Sequence, residues 1–401
     1  MSDHVSGNSD AHGVALPKFA SSPAAMAGFA VIGVIGLVVC FLTAGSADRA
    51  WGSYLLGMLY WFTLALGSMF LLLTFHASAA KWVTGFRRIM EVCSQGVWIQ
   101  SLFALVFLLF GMNHVYEWAK PGFVMGERGT FVGFRNFWLS HARFFWFGIL
   151  YLVAFSLAVW FLNSWSRNQD SSGEFKWFRK LVRLGSGGVP VLGLVGTSLG
   201  FDWFMSLDPY WGSTIYGAYV LAGGYLAALA FTSLLGHRER TGKLRDVVGD
   251  FEYHNLGKLL FAMVCFWAYL GYAQYMLMWI ANMPEEIVWW LRRFEGEWRV
   301  VFWILIFGHF VVPFFALLRK VFKLQSGWMI IVAAYIMLMH LIDVAFLVLP
   351  SESIKGHIQL SDLAAVVGIG GIHLAFVLWR FNGVVVAPRG DPNFAAPVIA
   401  H

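Results

Sequence analysis

The chain has 401 residues, of which 59% are apolar, 18% aromatic and only 12% charged, with a mean hydropathy of +0.67. Soluble domains carry about 25% charged residues, so this chain lacks the polar surface to face water and the bilayer is its expected solvent. The net charge of +6 does not indicate nucleic acid, because the basic residues sit between apolar runs and form no patch with interleaved aromatics.

The first residues, 1–22, are polar, with Lys18 the single base, and read as a disordered cytoplasmic tail. They lack the basic region and A-x-A site of a cleaved signal peptide, so the first apolar run is expected to be a retained helix. A helix needs about 20 mostly apolar residues to cross the hydrocarbon core. The segments that qualify are Ala24–Thr43, Ser53–His76, Val92–Gly111, Arg143–Asn163, Gly187–Ser206, Ser213–Leu235, Leu256–Ile280, Arg299–Leu318, Gly327–Leu349 and Asp362–Phe381. They make residues 23–386 one all-α membrane domain of about ten transmembrane helices, followed by a cytoplasmic tail at 387–401. Cys40, Cys93 and Cys265 are far apart and offer no C-x-x-C-H haem attachment, no iron–sulfur spacing and no disulfide framework. No covalently bound redox centre or metal site is expected in the chain.

Lys and Arg are concentrated around Arg87, Arg179, Lys180, Arg238, Lys243, Arg319 and Lys320, and are scarcer in the alternate connections that hold Arg49, Arg143, Arg292 and Lys355. By the positive-inside rule both termini face the cytoplasm, as for a protein of a bacterial inner membrane. Trp51, Trp82, Trp203, Trp211, Trp279, Trp289 and Trp290 mark the span ends, as interfacial anchoring predicts. The longest outer connection, Met112 to Ala142, is rich in glycine and aromatics and reads as a structured cap or partner surface.

A charged side chain at the bilayer centre costs about 2.5–3.5 kcal/mol on insertion scales, so polar residues at depth are candidates for function. In the fifth span Asp202 and Ser206 are four apart, on one helix face. Asp202 is either a proton- or quinone-site acid or an interfacial acid paired with a neighbour. Asp208, followed by Pro209, is either part of the same path or a plain helix end. In the eighth span, Pro313 cannot donate to the carbonyl of His309, which frees it beside an imidazole able to carry a proton, or else simply kinks the helix. His340 and Asp343 are three apart on one face of the ninth span, as a proton-accepting pair or a structural ion pair. His76, and His254 with Lys258 one turn apart, lie toward the cytoplasm. Glu285 and Glu286 lie outside, as a proton exit or a helix N-terminus. Gln274 is neutral and mid-membrane. No facing histidines call for paired b-type haems.

The runs Phe201–Pro209, Ser213–Gly217, Leu256–Phe261, Trp267–Tyr269, Gln274-Tyr275, Pro284–Glu286, His309–Phe314 and Met339–Asp343 resemble the NrfD-like membrane subunits of alternative complex III, and most closely its shorter, ActF-type subunit. The resemblance implies two four-helix bundles, spans two to five and six to nine, flanked by the first and last helices. It implies a respiratory quinol:cytochrome c (or terminal oxidase) oxidoreductase, with menaquinone or ubiquinone as substrate. Haems and iron–sulfur clusters would sit in partners: a larger, ActC-type NrfD-like paralogue, an iron–sulfur subunit, multihaem and monohaem cytochromes c, and a terminal oxidase. The proton-path candidates are then Asp202, Asp208, His309, His340, Asp343, Lys258, His76, Glu285 and Glu286. The quinone-cavity candidates are Asp202, His340, Trp203 and Tyr216. A secondary transporter and a purely structural anchor are the competing readings. Pro313, the one proline expected well inside a span, is mild evidence against a transporter.

Overall fold

A computed structural model describes residues 16–123 and 136–394 of the chain, apart from the Glu285 side chain. Expectations for residues 1–15, for the 124–135 part of the outer connection, for 395–401 and for the Glu285 carboxylate lie outside the described residues. Among them, ten helices are long and apolar enough to cross a membrane, and no strand forms. The protein is an all-α, multi-pass membrane protein. Helices are what lipid demands, because each satisfies its own backbone N–H and C=O groups without water.

The spans are α1 (Pro23–Thr43), α2 (Ala47–Ala77), α3 (Thr84–Val115), α4 (His141–Ser172), α5 (Phe175–Leu207), α6 (Tyr216–Arg238), α7 (Asp250–Ala281), α8 (Gly296–Ala316), α9 (Ser326–Val348) and α10 (Leu360–Phe381). A short helix, Pro284–Arg293, lies between α7 and α8. Local chemistry sets many of the ends. The Ser22 and Ser46 hydroxyls accept from the Ala25 and Arg49 amides, and the Glu252 and Asp362 carboxylates accept from the Gly249 and Gln359 amides. Gly173 (φ +66°) and Asn282 (φ +48°) stop α4 and α7 in the left-handed conformation.

Several helices outrun the apolar segments. Thus α2 starts at Ala47 rather than Ser53, α3 at Thr84 rather than Val92, and α4 runs on to Ser172. The added turns carry charges that hydropathy penalises but that pair with one another. α5 starts at Phe175 rather than Gly187, which puts Pro190 inside a helix. Pro313 is therefore not the one proline well inside a span.

α2, α3, α4 and α5 pack as one group of four, with α2 against α5. α6, α7, α8 and α9 form the second, with α6 against α9. α2 and α6 join the groups, and α10 lies on α2 with α1 against its outer side. Small residues permit the tightest crossings. A Cβ on Gly67 would stand 2.1 Å from the Gly224 carbonyl oxygen, and one on Gly36 2.7 Å from the Gly368 backbone. The closing helices of the groups end alike, each with a buried aspartate seven residues before a proline: Asp202 and Pro209, Asp343 and Pro350.

The ends next to the termini are not free tails. Phe19 is buried, its amide donates to the Val384 carbonyl at 2.8 Å, and its carbonyl accepts from Gly383 at 2.9 Å. Asp391 is buried in an ion pair with Arg87. Residues 16–22 and 387–394 are thus packed parts of the fold, held by contacts that sequence hydropathy does not see.

Candidate functional site

The second helix group holds the only cluster of sequence candidates that the described residues bring together. Asp343, on α9, is 1% exposed. Its Oδ1 accepts from the Tyr219 hydroxyl of α6 at 2.6 Å, and its Oδ2 from the Trp267 indole N–H of α7 at 3.0 Å. Among the described residues no cation pairs with it. One turn earlier, His340 Nε2 lies 3.0 Å from the Thr63 hydroxyl of α2, while Nδ1 is buried without a partner. His340 and Asp343 do not bond each other directly, as a proton-accepting pair would. They flank Gly223 of α6, where a Cβ would lie 3.4 Å from His340 Nδ1 and 3.6 Å from Asp343 Oδ2. Glycine there leaves room between imidazole and carboxylate.

His309 joins this cluster from α8. Its ring lies 4.0 Å, centroid to centroid, from that of Trp267, and neither of its nitrogens has a hydrogen-bond partner. It sits in a π-helical stretch, Leu305–Val311, where the Val312 amide bonds the Phe307 carbonyl five residues back. The wider register absorbs Pro313 just beyond, and π-turns of this sort recur at functional sites.

Beside the cluster lies a cavity of about 530 Å³ between α7, α8 and the short helix. Tyr219 and Trp267, the two donors to Asp343, form part of its wall, with Tyr275, Trp290, Phe302 and Phe310 around them. Tyr269 and Tyr272 at its rim are more than half exposed on the flank of the helix group. The cavity wall is mostly aromatic and otherwise apolar, and an acid stands one side chain behind it.

None of the four expected cavity residues lines it. Asp202 is fully buried and accepts from Arg143 Nη1 and the Tyr151 hydroxyl, each at 2.6 Å. Its α-helix ends at Trp203. Ser206 lies beyond that end and donates to the Asp202 carbonyl, not to the carboxylate. Trp203 packs on Phe62 and accepts at its carbonyl from Tyr116. Tyr216 is buried among Trp211 and Trp289. His340 lies behind the wall, against Tyr60.

Asp208 is a structural tie. It accepts from Arg292 at 2.6 Å and from the Glu352 amide at 2.7 Å, with Arg293 at 3.7 Å. Arg293 is fully buried, stands on the Trp289 ring and donates to the Phe346, Leu347 and Trp289 carbonyls. Burial pulls its guanidinium down to about 10 despite the nearby carboxylate. In the described part of the 112–142 connection, Trp118 is buried and donates to the Ser206 carbonyl.

The remaining candidates stand apart from the cluster. Glu286 is half-buried and gives its backbone carbonyl to Trp211. His76 is buried, beside a small cavity that Arg87 and Asp391 also line. Lys258 is exposed on α7, and its charge, after burial, lowers the Lys323 ammonium.

Sequence reading missed Tyr219 and Trp267 as partners of Asp343, because in a chain this aromatic nothing marks two rings out. It also missed a buried ionic network in which Arg87 and Arg88 face Glu91, Asp170 and Asp391, with Ser166 and Gln169 bonded in. The four-residue spacing of Arg87 and Glu91 was the available signal. No family model matches the chain, and no curated protein matches it.

Proposed function

We propose that the chain is a membrane subunit of a respiratory quinol-oxidising complex in a bacterial inner membrane, both termini cytoplasmic, with the aromatic cavity beside Asp343 as its quinone-type site. The observation that carries this reading is a cavity of about 530 Å³ whose wall contains both hydrogen-bond donors to a buried, cation-free aspartate. Pockets for small apolar ligands are mostly apolar with a few convergent polar groups, and this one has that composition. The motif resemblance to the NrfD-like subunits of alternative complex III supports the same assignment.

Oxidising a quinol releases two electrons and two protons. The sequence offers no haem-attachment motif or iron–sulfur cysteine spacing, so on this reading the electrons would pass to iron–sulfur clusters or haems held by partners: the iron–sulfur subunit, the cytochromes c and the larger paralogue. The protein's own part is to place the ring and take protons. A quinol hydroxyl seated against Tyr219 hands its proton to the phenol oxygen while that phenol donates to Asp343. The unpartnered nitrogens of His309 and His340 lie in the same cluster as next acceptors. Proton movement against a membrane potential costs about 2.3 kcal/mol per charge per 100 mV, so pumping would need redox energy from a partner.

Purifying the tagged protein from its native membranes in mild detergent, with mass spectrometry, a haem spectrum and a quinone photoprobe, tests the reading. Co-purifying cytochrome c and iron–sulfur subunits, with labelling on α7 or α8, are the expected results. A lone, colourless, unlabelled protein would overturn it. The competing transporter reading draws on π-helical interruptions in both helix groups, Phe107–Gly111 and Leu305–Val311. Solute uptake by the reconstituted chain alone would decide for it.

A further inference from the structure

A second pocket, of about 320 Å³, lies between the start of α3 and the ends of α4 and α10. Gln95, Asn163, Arg167, Trp379, Arg380 and Gly383 are among its lining residues. All three helix ends are on the face where the two chain-terminal segments pack, so the pocket is at the depth of lipid headgroups. Its polar floor is pre-built: Gln95 Nε2 donates to Asn163 Oδ1 at 2.6 Å, and Arg380 donates through Nε to Gln95 Oε1. Arg380 lies within 6 Å of both the Trp98 and Trp379 rings, and Trp379 is 56% exposed.

Two cations line this pocket outside any ion pair. Among the described residues neither Arg167 nor Arg380 makes an ion pair, and the Arg167 side chain donates only to the Asn163 carbonyl of its own helix, at 3.3 Å. The other charged lining residues, Arg88 and Glu91, are committed to the buried network beneath, where three carboxylates outnumber two guanidiniums. That network offers an anion nothing. The paired arginines above it do, because guanidinium forks match the geometry of phosphate.

We infer that this pocket binds the phosphate of an anionic phospholipid, held by Arg167 and Arg380 over the Gln95–Asn163 floor. A lipid, rather than free phosphate, is favoured by the pocket's position at the ends of three apolar spans and by the exposed tryptophan on its flank. Basic pockets between transmembrane helices on the cytoplasmic side are recurrent headgroup sites. The site is independent of the cavity beside Asp343.

The full chain, delipidated in neutral detergent, is given phosphatidylglycerol or phosphatidylcholine of matched acyl chains, and native mass spectrometry reads retained lipid. Phosphatidylglycerol should be retained preferentially, by about fivefold for each arginine. Arg167→Gln/Arg380→Gln should bring retention down to the phosphatidylcholine level, while Arg179→Gln/Arg183→Gln, on α5, should not. Should the double variant fail to fold, Arg167→Gln alone, which gives up one bond within its helix, should still lose about fivefold. Equal retention of the two lipids by the wild type, or undiminished phosphatidylglycerol on Arg167→Gln, would overturn the inference. Displacement of the lipid by millimolar inorganic phosphate would reassign the pocket to a soluble anion.

Discussion

Asp202 and Asp343 occupy matching places in the two helix groups, each buried near the end of the closing helix, seven residues before a proline. Their surroundings differ. Asp202 has Arg143 and Tyr151, a cation and a phenol. Asp343 has Tyr219 and Trp267, two neutral donors, and a pair of histidines with unpartnered nitrogens nearby. A buried acid held by a guanidinium is spoken for. One held only by neutral donors, beside a cavity, can exchange a proton without losing an ion pair. The difference separates a fastening from a candidate reaction site.

The strongest way to break this comparison is to remove the cation. Arg143→Met leaves Asp202 buried and unpaired, which should cost about 3–5 kcal/mol and show as a large drop in thermal midpoint in detergent. Adding Asp202→Asn to that variant should restore most of the loss. If Arg143→Met unfolds no more easily than wild type, the ion pair is not what holds Asp202. Asp343→Asn should behave in the opposite way. It keeps the shape and one acceptor for the donors, so stability should change by about 1 kcal/mol, whereas on the proposed reading quinol oxidation by the complex should fall tenfold or more. Normal turnover in that variant would remove Asp343 from the chemistry.

His309→Leu sharpens the contrast further. It deletes two buried, unpaired nitrogens, so the protein should gain about 1 kcal/mol in thermal unfolding while proton uptake coupled to quinol oxidation falls. A stabilised, fully active variant would make His309 ordinary core. The smallest effect is expected from Gly223→Ala. The new methyl would press on the His340 ring at 3.3 Å, and should slow turnover several-fold with little change in stability.

The ten spans were legible because hydropathy reads the apolar stretch of each helix directly, whether it faces outward or, as in α2, lies buried among the other helices. The ends were not. Arg87, Arg88, Glu91 and Asp170 look in sequence like interfacial charge, yet they are paired inside extended helices. Of the site, His309, His340 and Asp343 were visible because polar residues are costly at membrane depth. Asp202 carries the same signal, and only Arg143, 59 residues away in the chain, tells the two apart. Tyr219 and Trp267 were hidden for the reverse reason, since one bond each to Asp343 sets them apart and their bulk is ordinary.

The crossing of α2 and α6 bears on how the molecule moves. Gly67 and Gly224 bring the two backbones so near that no side chain fits between them, and Thr63, the partner of His340, is one turn from Gly67. A joint that tight works as a rivet: parting the two groups there would break backbone-to-backbone packing rather than merely shift side chains. On the proposed reading this suits a proton, which passes from side chain to side chain and needs no opening at the joint.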